Sequence, residues 1–485
     1  MSPAVRFLSV AVLSVVAGLV LSFGGLAVSL GLVGCLFVAA TVWRYPPFAG
    51  YTMIGLAPAV VGFERGEALP VLRPNEALLF FLVGVLVVRW AVHSRQLPRR
   101  ASGLDVAMVV MVLTGFILPL VVQIVRDQPL LVDDTLYAAV FLRLLLLYML
   151  FRATIRTSRQ VKIALGVSLV VASLMGLLGT AGALNIAGLG QLLSETFASA
   201  TNFEYSQGRG MGLIGNPIGY GVYEAIHACI AISLLLYKQQ PRIWLAVAAL
   251  CCTVGMFGSA QFGPLLAFTA GVVSLALVTK NLRVMLRWAL PVLLVSSIVI
   301  VPLFSQRLAR LDGTALPSER REEIHQDINP AEQGRELYFA DPGSSWDVRL
   351  FNLRSLFLPE FKTPSHWVWG VKPQARVFAP PTGKEYAWIE SGLLWLFWTG
   401  GIPLVVAWHG LLVTALAVSY RLVRQATGLL AAVGAAVFSM VVLVALAQTF
   451  DPHVTLRGTV DIFYPMLALM AAGWVGHRSR GSNPA

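Results

Sequence analysis

The sequence predicts an all-α fold: a polytopic helical membrane protein of about 14 (12–14) transmembrane helices with one large outer-face loop. Three observations carry that expectation. Hydrophobic residues make up 57% of the chain and charged residues 12%, with a mean hydropathy of +0.74; a soluble protein carries about twice that charged share. The apolar runs are close to the ~20 residues of a bilayer-spanning helix, and they lack the alternation of barrel strands. Lysine and arginine also collect in every second connection, as the positive-inside rule requires.

In chain order, spans are expected near 8–23, 26–43, 47–63, 75–92, 104–125, 134–154, 160–183, 217–237, 241–258, 260–279, 283–303, 391–418, 427–449 and 461–476. The pairs 8–43 and 241–279 are tightly spaced, so counts of twelve or thirteen stay open. Met1 to Arg6 is short, and no small-residue cleavage site follows the first run, so no cleavable signal peptide is expected. The chain divides into an N-terminal transmembrane bundle at 1–303 with an outer loop at about 184–216, a large periplasmic or extracellular loop at 304–388, and C-terminal helices at 389–485.

An N-terminus inside makes cytoplasmic the connections that hold Arg44, Arg95, Arg99, Arg100, Arg152, Arg156, Arg159, Lys162, Lys238, Arg242, Lys280, Arg283, Arg287, Arg421, Arg424, Arg478 and Arg480. One acid, Asp105, accompanies them, whereas Glu64, Glu67, Asp127, Asp133 and Asp134 fall on the other side. The net charge of +12 is therefore read as a topology signal. No basic patch with interleaved aromatics argues for nucleic acid. Cys35, Cys229, Cys251 and Cys252 all lie in apolar runs without metal-ligand spacing and read as small buried hydrophobes.

The large loop changes character along its length. SERREEIHQDINPAEQGRE is strongly polar, whereas SSWDVRLFNLRSLFLPEFKTPSHWVWGVKPQARVF mixes an amphipathic pattern with aromatics. Arg349, Asn352 and Leu356 recur at helical spacing, and Leu350, Leu353 and Phe357 fall on another face, which suits a helix at the membrane surface. Trp367, Trp369 and Trp388 suit an interfacial belt.

Candidate chemistry gathers on the outer face. Arg209 stands in SQGRGMGLIGNPIGYG, where glycines admit close approach of a ligand and the guanidinium fork suits a pyrophosphate. Arg349, Arg354 and Arg376 offer further cations on the same face, and Asp451, His453 and Arg457 share the turn TFDPHVTLRGTVD. Arg143 lies mid-span, with Glu224 as its expected ion-pair partner and His227 one turn away as a packing or hydrogen-bonding residue. His325, His366 and His409 are scattered, and no HExxH, P-loop, GxSxG or strand-linked GxGxxG occurs, so neither a metal nor a nucleotide cofactor is expected. Glu390 opens the run IESGLLWLFWTGGIP. It reads equally as a carboxylate favoured at a helix N-terminus and as a general base at a half-desolvated boundary.

Three segments, RGMGLIGNPIGYGVY, DVRLFNLRSLFLPEFKTPSHWVWGVKP and WIESGLLWLFWTGGIP, together with a large outer loop before the last spans, resemble the O-antigen ligase/polymerase superfamily. The ligase branch opens its closing motif with histidine; here Leu394 and Gly401 keep the spacing, but Glu390 holds the first position, as in the polymerase branch. The Ser-Arg pair frequent in the family after a mid-chain span is replaced by SAQFG at Ser259 to Gly263. The resemblance implies an enzyme of the bacterial inner membrane with both termini cytoplasmic, a polymerase joining polyprenyl-pyrophosphate-linked oligosaccharide repeats. Glu390, Arg209 and Arg349 would be catalytic, with Arg354, Arg376, His453 and Arg457 binding substrate. Its partners would be the lipid-linked oligosaccharide, membrane lipid and a chain-length regulator, and the alternatives are a ligase and a lipid-linked glycan flippase.

Overall fold

The computed structural model describes residues 25–63, 72–93, 101–197, 208–239, 241–283, 353–374, 377–379, 384–386, 389 and 391–481. Among them the helices are α1 Gly25–Arg44, α2 Pro47–Val60, α3 Pro74–His93, α4 Gly103–Val125, α5 Val132–Thr154, α6 Ser158–Ala183, α7 Leu189–Phe197, α8 Pro217–Leu236, α9 Arg242–Gly258, α10 Phe262–Thr279, α11 Pro364–Trp369, α12 Gly392–Gln425, α13 Gly428–Ala447 and α14 Thr459–Gly481. Eight of these are long and apolar enough to cross a membrane, namely α3, α4, α5, α6, α8, α10, α12 and α13. The protein is an all-α polytopic membrane protein. The expected spans at 8–23 and 283–303 lie outside the described residues. Each of the other twelve coincides with a helix, with α12 and α14 running on further, to Gln425 and Gly481.

The helices begin where local chemistry starts them. Ser102 and Asp105 form a reciprocal capping box at α4, with the Asp105 carboxylate accepting from the Ser102 amide at 2.6 Å, and Thr157 and Gln160 do the same at α6. Asp105 also accepts from Tyr148 Oη at 2.6 Å and Arg152 Nε at 3.4 Å, so the acid of this arginine-rich end serves as both cap and counter-ion.

Helix α8 is the axis of the bundle. Its span is 89% buried, and it packs on α6, α9, α10, α13 and α14. Small residues let the neighbours close in: a methyl on Gly255 of α9 would stand 2.6 Å from the Cα of Gly176 on α6. Among the described residues one antiparallel hairpin, β1 Val377–Ala379 with β2 Lys384–Tyr386, departs from the helical scheme; Val377 pairs with Tyr386.

Contacts between helix ends sort the connections into two sets. Arg89 Nε donates to the Trp43 carbonyl at 2.7 Å, and Tyr148 and Arg152 reach Asp105, so the ends of α1, α3 and α5 meet the starts of α4 and α6 at the arginine-rich end. The ends of α2, α4, α6 and α13 and the starts of α3, α5, α8 and α14 lie at the opposite, loop end. Cys229, Cys251 and Cys252 are buried free thiols, as expected, but Cys35 is exposed on the bundle surface.

Candidate functional site at the loop end of the bundle

The glycine-rich segment before α8 is built for contact with backbone on every side. Asn216 caps the helix by accepting the Gly219 amide at 2.9 Å, and Pro217 takes the first helical position, where its missing N–H costs nothing. Ahead of this cap, the Gly210 amide donates to the Gly258 carbonyl at 2.7 Å, at the C-terminal end of α9. Gly215, at φ +73°, leaves no room for a side chain, because a methyl there would fall on the Phe197 carbonyl. Arg209 is half-buried at the start of this segment.

The turn between α13 and α14 locks onto the same segment. A methyl on Gly219 would meet the Arg457 carbonyl, and one on Gly458 would stand 2.9 Å from the Gly219 carbonyl. Arg457 Nη1 donates to the Gly62 carbonyl at 3.1 Å and the Val61 carbonyl at 3.4 Å, satisfying acceptors left at the end of α2. His453 turns inward. It is 2% exposed, its Nδ1 lies 3.0 Å from Thr459 Oγ1, and burial pushes its pKa down to about 3. Asp451 is buried as well, so this turn belongs to the protein interior rather than to solvent. Gln448 Oε1 accepts the Val454 amide at 2.9 Å, and the Gln448 side chain packs directly on Gly392 at the start of α12.

Helix α12 begins at Ser391, whose hydroxyl accepts the Leu394 amide at 3.4 Å, and it breaks at Gly401, where φ is +62° and ψ −158°. The large loop plugs this break. The Val371 amide donates to the Trp398 carbonyl at 2.7 Å, while Trp398 Nε1 donates to the Gln374 carbonyl at 3.2 Å. Phe357 and Phe361 pack edge-on to the Trp398 ring at 5.4 and 6.0 Å. From α4, the Arg126 guanidinium holds the same turn through the carbonyls of Gly370 at 2.8 Å, Ser365 at 3.1 Å and Val371 at 3.2 Å; burial lowers its pKa from the usual guanidinium value. Of the residues in the expected amphipathic pattern, Leu353 is half-buried and Phe357 buried, whereas Arg349, Leu350 and Asn352 lie outside the described residues.

Beneath these loops lies a buried charged cluster. Arg143 pairs with Glu76 at 3.1 Å, with side chains 7% and 3% exposed. Glu76 in turn caps α3 by accepting the Arg73 amide at 3.1 Å. Asp461 accepts the Gly458 amide at 3.0 Å and a hydrogen bond from Asn75, with Arg143 and Arg73 nearby. The cluster thereby connects mid-span Arg143 with the turn that carries Arg457.

Arg143 therefore does not pair with Glu224, as its position in the sequence had suggested. Glu224 is fully buried at the crossing of α6, α8 and α9, beside Cys252. Arg143 finds the carboxylate that α3 brings across from its first turn. His227 behaves as expected for a hydrogen-bonded core residue: its Nδ1–H donates to the Tyr223 carbonyl at 2.8 Å, leaving Nε2 to accept from Ser168 at 2.7 Å.

The structure thus brings the segments of Arg209, His453 and Arg457 together with the start of α12, and it docks the segment of exposed Arg354 about two turns further along that helix. Glu390, Arg349 and Arg376 lie outside the described residues, although Ile389 and Ser391 flank the first of them. Sequence reasoning passed over Glu76, Asp461, Arg126 and Gln448. Glu76 and Asp461 carry a readable signal, each being the one acid of its helix and standing in the first turn. No group of three His, Cys, Asp or Glu side chains suited to a metal ion occurs among the described residues.

Fold and site together define a multi-pass helical membrane protein with an arginine-bearing, loop-covered end. The chain matches no family model, and no curated protein matches its sequence.

Proposed function

We propose that the protein is a membrane glycosyltransferase of the bacterial inner membrane that polymerises polyprenyl-pyrophosphate-linked oligosaccharide repeats on the outer face. One observation carries the reading: the glycine-rich Arg209 segment, the 448–458 turn and the start of α12 just after Glu390 pack on one another through Gly219, Gly458 and Gly392. These three segments, far apart in sequence, share one end of one bundle.

In the proposed reaction the bond between the donor's anomeric carbon and the pyrophosphate oxygen breaks. The acceptor sugar's hydroxyl oxygen forms the new glycosidic bond, and its proton passes to Glu390. The polyprenyl pyrophosphate departs as an anion, and Arg209 and Arg349 stabilise the charge that develops on it. Arg354, Arg376 and Arg457 would add to the positive charge that holds the substrate. Arg143 is neutralised by Glu76, so the polar route through Arg143 and Glu224 that a flippase would use gains no support.

The test is reconstitution of the purified protein with polyprenyl-pyrophosphate-linked repeat units alone. A ladder of products spaced by one repeat is expected, lost in Arg209→Ala and Glu390→Gln with expression intact and retained in Arg95→Ala. Intact polymer from Glu390→Gln removes the general base. Unmodified units appearing across the bilayer replace the enzyme with a transporter.

A further inference from the structure

At the end of the bundle opposite the proposed site lies a cavity of about 430 Å³ lined by Pro46, Pro47, Arg89, Trp90, Ala153, Thr154, Arg156, Thr157 and Gln160. Its electrostatics are one-sided. Among the described residues two arginines contribute to the wall and no carboxylate does. Asp105, at the same end, is occupied by Ser102, Tyr148 and Arg152. Two helices, α2 and α6, begin at the wall, at Pro47 and just after Thr157, and so direct the positive ends of their dipoles toward it. Arg89 is 8% exposed and pinned by its Nε–H to the Trp43 carbonyl, and Arg156 is anchored by its Nε–H to the Ala153 carbonyl at 2.9 Å. Both guanidinium groups are held in position before any ligand arrives.

The rest of the wall is mixed: Thr154 Oγ1 donates to the Leu150 carbonyl at 2.6 Å, Thr157 and Gln160 bond each other in the capping box of α6, and the other side chains are apolar. Pro46, Pro47, Trp90 and Ala153 supply the apolar part, and on the membrane side of Arg89 helix α3 presents an outward strip in which Val87 is 53% and Val88 55% exposed. A cationic pocket that opens beside a strip of exposed valines fits a ligand with a phosphate at one end and hydrocarbon at the other. We infer that this cavity is a binding site for the phosphodiester headgroup of an anionic phospholipid, with the acyl chains lying along α3. Its phosphate would be shared between Arg89 and Arg156, and Trp90 would sit at the level of the glycerol.

The experiment uses the full-length protein in neutral detergent and follows the unfolding temperature as short-chain phosphatidylglycerol, phosphatidylcholine or inorganic phosphate is added. Phosphatidylglycerol is expected to raise it at concentrations where the other two do not. Arg156→Gln, at an exposed position, should weaken the phosphatidylglycerol effect about tenfold or more, the loss of one charge-assisted contact. Arg89→Lys keeps the charge without the fork and should weaken it less. Arg242→Gln, which removes a cation from the same end but not from the cavity wall, should leave it unchanged. Equal stabilisation by phosphatidylcholine, or full retention of the effect in both Arg156→Gln and Arg89→Lys, overturns the site. Inorganic phosphate matching phosphatidylglycerol overturns the lipid as its occupant.

Discussion

Replacing Gly401 with alanine tests how the large loop is held to the bundle. The residue sits at φ +62° and ψ −158°, a region open in practice only to glycine, and forcing a side chain there costs about 1–3 kcal/mol. The added methyl would also meet the Val368 carbonyl and stand 2.7 Å from the Gly370 nitrogen; both are backbone atoms that cannot rotate aside. Overpacking of that kind costs a further ~1–3 kcal/mol. The least costly escape is for α12 to straighten and release the 368–371 turn, breaking the bond from the Val371 amide to Trp398. With about 3 kcal/mol lost from the docked state, hydrogen exchange at the Val371 amide should accelerate roughly a hundredfold, while the α8 amides keep their protection. Gly410→Ala, on the same helix with nothing within 4 Å of the new methyl, is the control and should stabilise the helix by up to about 1 kcal/mol. Unchanged exchange at Val371 in Gly401→Ala would refute the docking argument.

Removing one partner of the buried Arg143–Glu76 pair, as in Glu76→Leu, should cost roughly 3–5 kcal/mol of stability. The double variant Glu76→Leu/Arg143→Met should recover much of that loss in a thermal-unfolding cycle. His453 is neutral in the folded protein and has a folded pKa of about 3, below its unfolded value of 6.5, so the unfolded state takes up the proton first. Its contribution to stability is complete above pH 6.5 and is lost as the pH falls toward 3, at a slope approaching about 1.4 kcal/mol per pH unit. His453→Gln should flatten that slope in denaturation curves, whereas His409→Gln should not. Asn216→Ala should cost about 1 kcal/mol through the lost cap of α8, read as a lowered unfolding temperature. Arg126→Ala should free the Ser365–Val371 segment for proteolysis without unfolding the spans.

The parts of this molecule that depend on neighbours in sequence are legible without a structure. A run of about 20 apolar residues makes a span wherever it occurs, and the Asn-Pro pair at 216–217 and the Ser at 391 start helices by local hydrogen bonds. Gly401 is visible as part of a short motif, but not as a break. Its backbone conformation is imposed by residues 368–371, which arrive from the loop. Partner choice is invisible for the same reason. Residue type alone does not separate Glu224 from Glu76 as a partner for Arg143, and only the packing of α3 beside α5 decides for Glu76. His453 reads as a polar turn residue beside Asp451 and Arg457. It is buried because Asn216, Gly219 and Gly458 let the turn collapse onto the start of α8.

The plugged break in α12 also sets an order of assembly. The turn at 368–371 leaves the ribosome before Trp398 and Gly401 exist, so the groups it must bond have not yet been made. When α12 follows, its break leaves the Trp398 carbonyl without an intrahelical partner at the membrane boundary, an arrangement that hydrocarbon tolerates poorly. Docking of the Val371 amide therefore comes after synthesis of α12, and it is the event that joins the loop to the C-terminal helices. A chain cleaved between Val371 and Gly392 should still carry every span, and its two fragments should assemble correctly only when both are present together.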